Sequence, residues 1–118
     1  MFKGKTKFIG ERLYLRTLSV SDANEVYCGW LNDGQVNKFL ATKHATVREL
    51  ITYIKEKNNQ ADILLLGIFL KQGDKFIGTI KLGPIELVTK KSNIAIMIGD
   101  KSCWGKGFGL EALNILID

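Results

Sequence analysis

Gly105, Gly107 and Gly109 stand at alternate positions in CWGKGFGLEAL (Cys103 to Leu113), with Lys106 among them and an apolar helical pattern directly after. Glycines at this spacing remove the Cβ atoms that would keep a ligand off the backbone, and they permit positive φ. Successive N–H groups can then converge on one point as an anion nest. A helix starting there adds its unpaired N-terminal N–H groups and the positive end of its dipole. Strand, glycine turn and helix are therefore what backbone recognition of a phosphate demands, and Lys106 would add a mobile charge at the rim. The rival reading is a turn whose glycines serve only to redirect the chain.

Better-known phosphate loops do not match. The segment has no G-K-[ST] for a triphosphate and Mg²⁺, and GKGFG is not the dinucleotide pattern G-x-G-x-x-G. Nucleotide hydrolysis and hydride transfer lose their motif here. Cys28, Cys103 and the single His44 make no metal-ligand set, so no metal is expected and the cysteines read as buried free thiols. The formal net charge is +5. Its lysines are scattered in ones and twos without interleaved aromatics, which argues against a nucleic-acid platform and leaves a polyphosphate ligand or a solvated surface.

The elements that must position the glycines follow from periodicity. With 118 residues the chain has the size of one domain, and the composition is that of a soluble globular protein. The longest apolar run, Ile63 to Leu70, is strand-sized, so no membrane span is expected. MFKGKTKF lacks the apolar core of a signal peptide, which makes a cytoplasmic location the default expectation.

ERLYLRTL alternates as a strand with Leu13 and Leu15 inward. SVSDANEVYCGWLND reads as a helix capped by Ser21 or Asp22, with Val26, Tyr27, Trp30 and Leu31 at helical spacing. Thr46 and Glu49 have capping-box spacing before a second helix striped by Leu50, Ile51 and Ile54, which frays from Lys55 to Asn59. ILLLGIFLK reads as a strand buried on both faces. Gln72 to Lys75 makes a hairpin turn into KFIGTIKLG, and Gly83-Pro84 breaks or bends that strand. A polar stretch, Thr89 to Asn93, precedes the strand IAIMIGD, and the last helix runs from Phe108 to Asp118. The predicted fold class is α+β, an antiparallel central sheet flanked by helices in the order β-α-α-β-β-β-α.

WGKGFGLEA, preceded by FIGTIKL and SNIAIMIGD, resembles the GNAT family of N-acetyltransferases. The branch it is most similar to contains the ribosomal-protein N-terminal and many sugar and small-molecule acetyltransferases. In that family Q/R-x-x-G-x-G/A opens the helix that binds the pyrophosphate of acetyl-CoA. Here Trp104 stands in the Gln/Arg position, Gly107 and Gly109 match, and Glu111-Ala112 completes a W-G-x-G-x-x-x-E-A variant. ERLYLRTLSVSD and WLND...VNKFL resemble the same branch's opening strand and first helices. The resemblance runs from Glu11 to the last residue and covers about two-thirds of a usual domain. Residues 1–118 are thus expected to form a single acetyltransferase-like domain lacking the usual C-terminal strands and helix.

The resemblance implies acetyl-CoA as cosubstrate and direct acetyl transfer to a primary amine: an amino sugar, a protein N-terminus or a small metabolite. It assigns the backbone around Ile96, Met97 and Ile98 to the pantetheine arm and thioester. The amides of Trp104, Gly105, Lys106, Gly107, Phe108 and Gly109 would take the pyrophosphate. On the plain reading Ile96 and Ile98 are core, Met97 faces the other way, Trp104 fills a hydrophobic seam and Glu111 answers the helix dipole.

A general base must accept a proton from an ammonium, and Glu86, then Asp100, are its candidates. Trp30, Phe39 and His44 are candidates for acceptor contact, the two aromatics being alternatively core and His44 alternatively an exposed loop residue. The alternative to an enzyme is a catalytically inactive CoA-binding or self-associating remnant. The apolar last helix and the open edge beside IAIMIGD predict a homo-oligomer or swapped dimer.

Overall fold

The computed structural model describes residues 6–36, 45–86 and 91–117, with the side chains of 84–86 and 91–92 left aside. Five antiparallel strands lie in sequence order: β1 (Lys7–Ile9), β2 (Leu13–Thr17), β3 (Leu64–Leu70), β4 (Lys75–Glu86) and β5 (Lys91–Ile98). Between β2 and β3 come α1 (Glu25–Asn32) and α2 (Val47–Asn58), and α3 (Phe108–Ile117) follows β5. The predicted order holds, with β1 added. Three residues, Lys7, Phe8 and Ile9, carry too short an alternation to announce a strand. β1 exists because β2 offers it an edge, with Phe8 opposite Leu15.

β3 is apolar throughout because both of its faces are covered. On one side Phe108 and Ala112 of α3 join Leu13, Leu15, Leu66, Ile68 and Ile80. On the other, Tyr27, Trp30 and Leu31 of α1 and Leu50 and Ile54 of α2 cluster with Leu18, Leu65 and Met97. Each fully buried Leu or Ile contributes about 1.5–3 kcal/mol, which makes this double-sided strand the spine of the fold.

The helix starts follow local chemistry. Thr46 Oγ1 accepts from the Glu49 amide at 3.1 Å and Glu49 Oε1 from the Thr46 amide at 2.9 Å, the expected capping box. α2 stays regular to Asn58 rather than fraying from Lys55. The α1 cap is Asn24, whose Oδ1 accepts from Tyr27 N at 3.1 Å. Ser21 and Asp22 do not cap it, because Val20–Asp22 form a short 3₁₀ turn of their own. That turn is held by Asp22, which receives both Nη atoms of Arg16 at 2.9 Å and the Ser19 amide at 2.8 Å. Starting at Glu25 rotates Val26 outward, to 56% exposure, so it leaves the buried stripe.

The turn at Gln72 to Lys75 is present, with Gly73 and Asp74 both at positive φ. Gly83, at φ +116, sits in a bulge of β4 between Leu82 and Ile85, so the Gly83-Pro84 pair bends the strand without ending it. β5 begins at Lys91, inside the stretch expected to be a polar loop, because Ile85 and Glu86 beyond the bulge offer Ser92 and Lys91 a ladder. Among the described residues β5 pairs with β4 alone. Among the described residues no helix is long and apolar enough to cross a membrane.

Candidate functional site

β5 delivers the chain to the glycines through a tightly bonded corner. Ile77 O accepts from Gly99 N at 2.8 Å and from Asp100 N at 3.2 Å. Asp100 Oδ1 then takes Ser102 N at 3.0 Å and Ser102 Oγ at 2.6 Å, fixing a 3₁₀ turn over Lys101–Cys103. Gly105 and Gly107 follow at φ +76 and +77, with Lys106 between them outside the left-handed region. Such alternation turns successive amides toward a common side. Gly107 O accepts the first helical bond, from Glu111 N at 3.0 Å. The N–H groups at the start of α3 therefore have no acceptor within the helix.

This turn and β5 enclose an open cleft of about 280 Å³. Ile96, Met97, Ile98, Trp104, Gly105, Gly107, Phe108 and Gly109 line it, joined by Val36 and Cys103. The residues expected for a cofactor are thus brought to one place, except Lys106, whose carbonyl instead accepts from Arg12 Nη1 at 3.1 Å. A Cβ on Gly109 would lie 3.8 Å from Ile96 Cγ2 and 4.0 Å from Ile98 Cγ1, on the cleft side of the helix. At Gly105 a Cβ would meet nothing within 4 Å. Ile96 and Ile98 pack toward the α3 cluster while Met97 is buried on the α1–α2 side, as strand alternation requires.

Trp104 does not fill a hydrophobic seam. The residue is 43% exposed and its Nε1 donates to Ile98 O at 2.7 Å. Trp30, a candidate acceptor contact, is a core residue at 8% exposure, packed on Phe76 with ring centroids 4.9 Å apart. Gly99 is what admits it, because a Cβ there would overlap the indole. Phe39 and His44 lie outside the described residues.

The carboxylates have unequal fates. The Lys75 ammonium, 2.7 Å away, and then the Ser102 hydroxyl hold Asp100 below the usual carboxylate range. A base for an ammonium needs the opposite shift, so this corner role speaks against Asp100 as that base. Glu86 pairs through its backbone with Lys91, at the end of β5 remote from the glycine turn; its side chain is outside the described set. Glu111 is partly desolvated, which alone would raise its pKa. Hydrogen bonds from the Arg12 amide (2.9 Å) and Arg12 Nε (2.6 Å) outweigh that and leave it lowered, hence ionised. Among the described residues no His/Cys/Asp/Glu group is arranged to hold a metal.

Arg12, Val36 and Cys103 are the parts that sequence reasoning left out. A signal for Arg12 existed. Glu111 has Phe108 and Asn114 three residues away, and Gly107 and Ile115 four away, so no helical neighbour can neutralise it. Its cation had to come from elsewhere in the fold.

Residues 12–118 match the model of the acetyltransferase (GNAT) domain. The chain is 31% identical over 112 residues to the protein named uncharacterized N-acetyltransferase p20 of Bacillus licheniformis, covering 92% of this chain and 62% of that protein. The chain thus spans less than two-thirds of that relative's length. A GNAT-family acetyltransferase from Bacillus anthracis superposes with a TM-score of 0.79 at 17% identity, over 95% of this chain and 64% of that one. The microcin C7 self-immunity acetyltransferase MccE, solved with acetyl-CoA and AMP, superposes at 0.73 with 22% identity, over 92% of this chain and 62% of its own. The sheet, the glycine turn opening α3 and these matches lead to one conclusion: the chain belongs to the GNAT acetyltransferase family.

Proposed function

We propose that the cleft between β5 and the glycine turn takes acetyl-CoA, and that the protein containing this chain transfers the acetyl group to a primary amine. The observation that carries the reading is the convergence of Gly105 and Gly107, both left-handed, with residues 96–98 of β5 on one cleft of matching chemistry. The glycine amides and the start of α3 suit a pyrophosphate. The apolar wall of Ile96, Ile98 and Val36 suits a pantetheine arm, with β5 backbone available to hydrogen-bond its amides. Lys106, exposed beside the turn, is free to approach the phosphates from solvent.

In the transfer, the neutral amine attacks the thioester carbonyl, the C–N bond forms and the C–S bond breaks. The amine proton leaves through a base or water, and the thiolate departs as CoA. Backbone N–H groups near the thioester would stabilise the oxyanion. The reading extends to the acceptor classes that the resemblance implies: an amino sugar, a peptide N-terminus or a small metabolite amine.

Calorimetric titration of the chain with acetyl-CoA tests this, with dephospho-CoA and ATP as controls. Saturable binding weakened in Gly107→Ala/Gly109→Ala is the expected result, and no binding to the unaltered chain overturns it. Turnover with mixed amines then separates an enzyme from a module that only binds CoA.

A further inference from the structure

Arg12 makes three kinds of contact with the glycine turn and the first residues of α3. Its amide and Nε bind Glu111, its guanidinium lies 4.5 Å over the Phe108 ring, and its Nη1 donates to Lys106 O at 3.1 Å. The last of these bears on the cleft. In a trans peptide the C=O and the following N–H point in opposite directions. The Lys106 carbonyl and the Gly107 N–H belong to the same peptide, so holding one toward Arg12 turns the other away from it. Arg12 borders a different depression, with Gly10, Leu110 and Glu111, on its own side of the turn. Gly107 borders both that depression and the β5 cleft.

We infer that Arg12 is a positioning residue: by fixing the Lys106 carbonyl outward it commits the Gly107 amide to the cleft. This rests on the acetyl-CoA reading for what that amide then meets. Glycine on the C-terminal side of this peptide leaves its rotation unhindered by a side chain, since both signs of φ are open to it. An unclamped 106–107 peptide would present a carbonyl dipole to an anion as readily as an amide. The fork is already orientated by Glu111, which has no second cation within its own helix. Glu111 thus aims Arg12, and Arg12 aims the peptide. Lysine cannot replace it, because one ammonium has no planar fork to serve Glu111 and Lys106 O together.

The test uses the ¹⁵N,¹³C-labelled chain and its Arg12→Met and Arg12→Lys variants, titrated by NMR with CoA and with pantetheine, which has the thiol arm and no phosphate. The expected result has two parts. Without ligand, Arg12→Met shifts the Lys106 carbonyl and Gly107 amide resonances well beyond those of their neighbours in α3. With ligand, CoA affinity falls roughly tenfold, the size of one charge-assisted hydrogen bond, while pantetheine affinity is unchanged and Arg12→Lys restores little. Equal weakening of CoA and pantetheine in step with a lower melting temperature would reduce Arg12 to a structural staple and overturn the inference. Full rescue by lysine would do the same, since charge alone would then suffice. If the unaltered chain bound no CoA, the acetyl-CoA reading would fall, and the ligand-free resonances would still decide whether Arg12 holds the peptide.

Discussion

The indole of Trp104 reaches back across the turn and donates from Nε1 to the carbonyl of Ile98, the last residue of β5, at 2.7 Å. The bond ties the glycine segment to the strand that forms the other wall of the cleft, so it sets the width between them. Trp104→Phe keeps most of the ring and removes the donor. Because the site is half open, water can replace the lost partner and stability should fall by no more than about 1 kcal/mol. CoA affinity should fall several-fold. Urea midpoints beside calorimetric titration check both, and an unchanged affinity would deny the indole any part in shaping the cleft.

The glycines of the turn should separate by their backbone angles. Gly105 and Gly107 occupy the left-handed region, where a Cβ costs about 1–2 kcal/mol. Gly105→Ala and Gly107→Ala should each be destabilised by that amount in chemical denaturation.

Gly109 is different, since its φ is not positive and a Cβ there meets only ordinary contacts. Gly109→Ala should raise helix stability by up to ~1 kcal/mol. It should nevertheless weaken acetyl-CoA binding, because the methyl enters the cleft beside Ile96 and Ile98. A variant that is more stable and binds less well is the signature, read from melting and titration on one preparation.

Gly99→Ala should be among the most damaging single-methyl changes in the chain. The new Cβ would overlap the Trp30 indole, which is hemmed in by Phe76 and Tyr27. Overpacking of this kind costs about 1–3 kcal/mol. Thermal unfolding measures it, and Trp30→Leu in the same background should recover part of the loss if the clash is the cause.

Acid should weaken the Arg16–Asp22 pair at its buried end. Burial works to raise the Asp22 pKa, but the Arg16 fork and then the Ser19 amide overcome it, leaving it below the ordinary 3.8. A carboxylate depressed in the folded state stabilises fully above its unfolded pKa, and that stability is lost as pH falls through the folded value. Asp22→Asn should therefore lower stability by about 1–2 kcal/mol at neutral pH, after allowance for the solvent around Arg16. The gap should narrow steadily below about pH 4, where the unaltered chain loses the same charge. Denaturant midpoints across that range would show a parallel offset instead if Asp22 served only by shape.

Features written within a few residues were legible before the fold was known. The capping box of Thr46 and Glu49 depends on a spacing of three, and it is present. The double-sided apolar run of β3, the turn at Gly73-Asp74 and the left-handed glycines before α3 are equally local. Short-range hydrogen bonds, sterics at Cα and the period of burial fix them whatever lies across the sheet. Of these, the glycine segment is the one that also carried the family resemblance.

Tertiary structure decided the rest, where a residue's role depends on a distant partner. Arg12 and Glu111 are 99 positions apart, and no local pattern joins a cation at a strand start to a carboxylate in the last helix. Trp30 could have faced a substrate until Gly99 gave it a place in the core. Asp100 could have been a base until the hairpin brought Lys75 within 2.7 Å. β1 and the first residues of β5 became strands because a neighbouring edge supplied their hydrogen bonds, not because their own side chains asked for it. Sequence determines which backbone shapes and which solvent-avoiding faces are cheap. Only chain closure in three dimensions brings charges, rings and carbonyls from separate elements close enough to set each other's orientation and protonation.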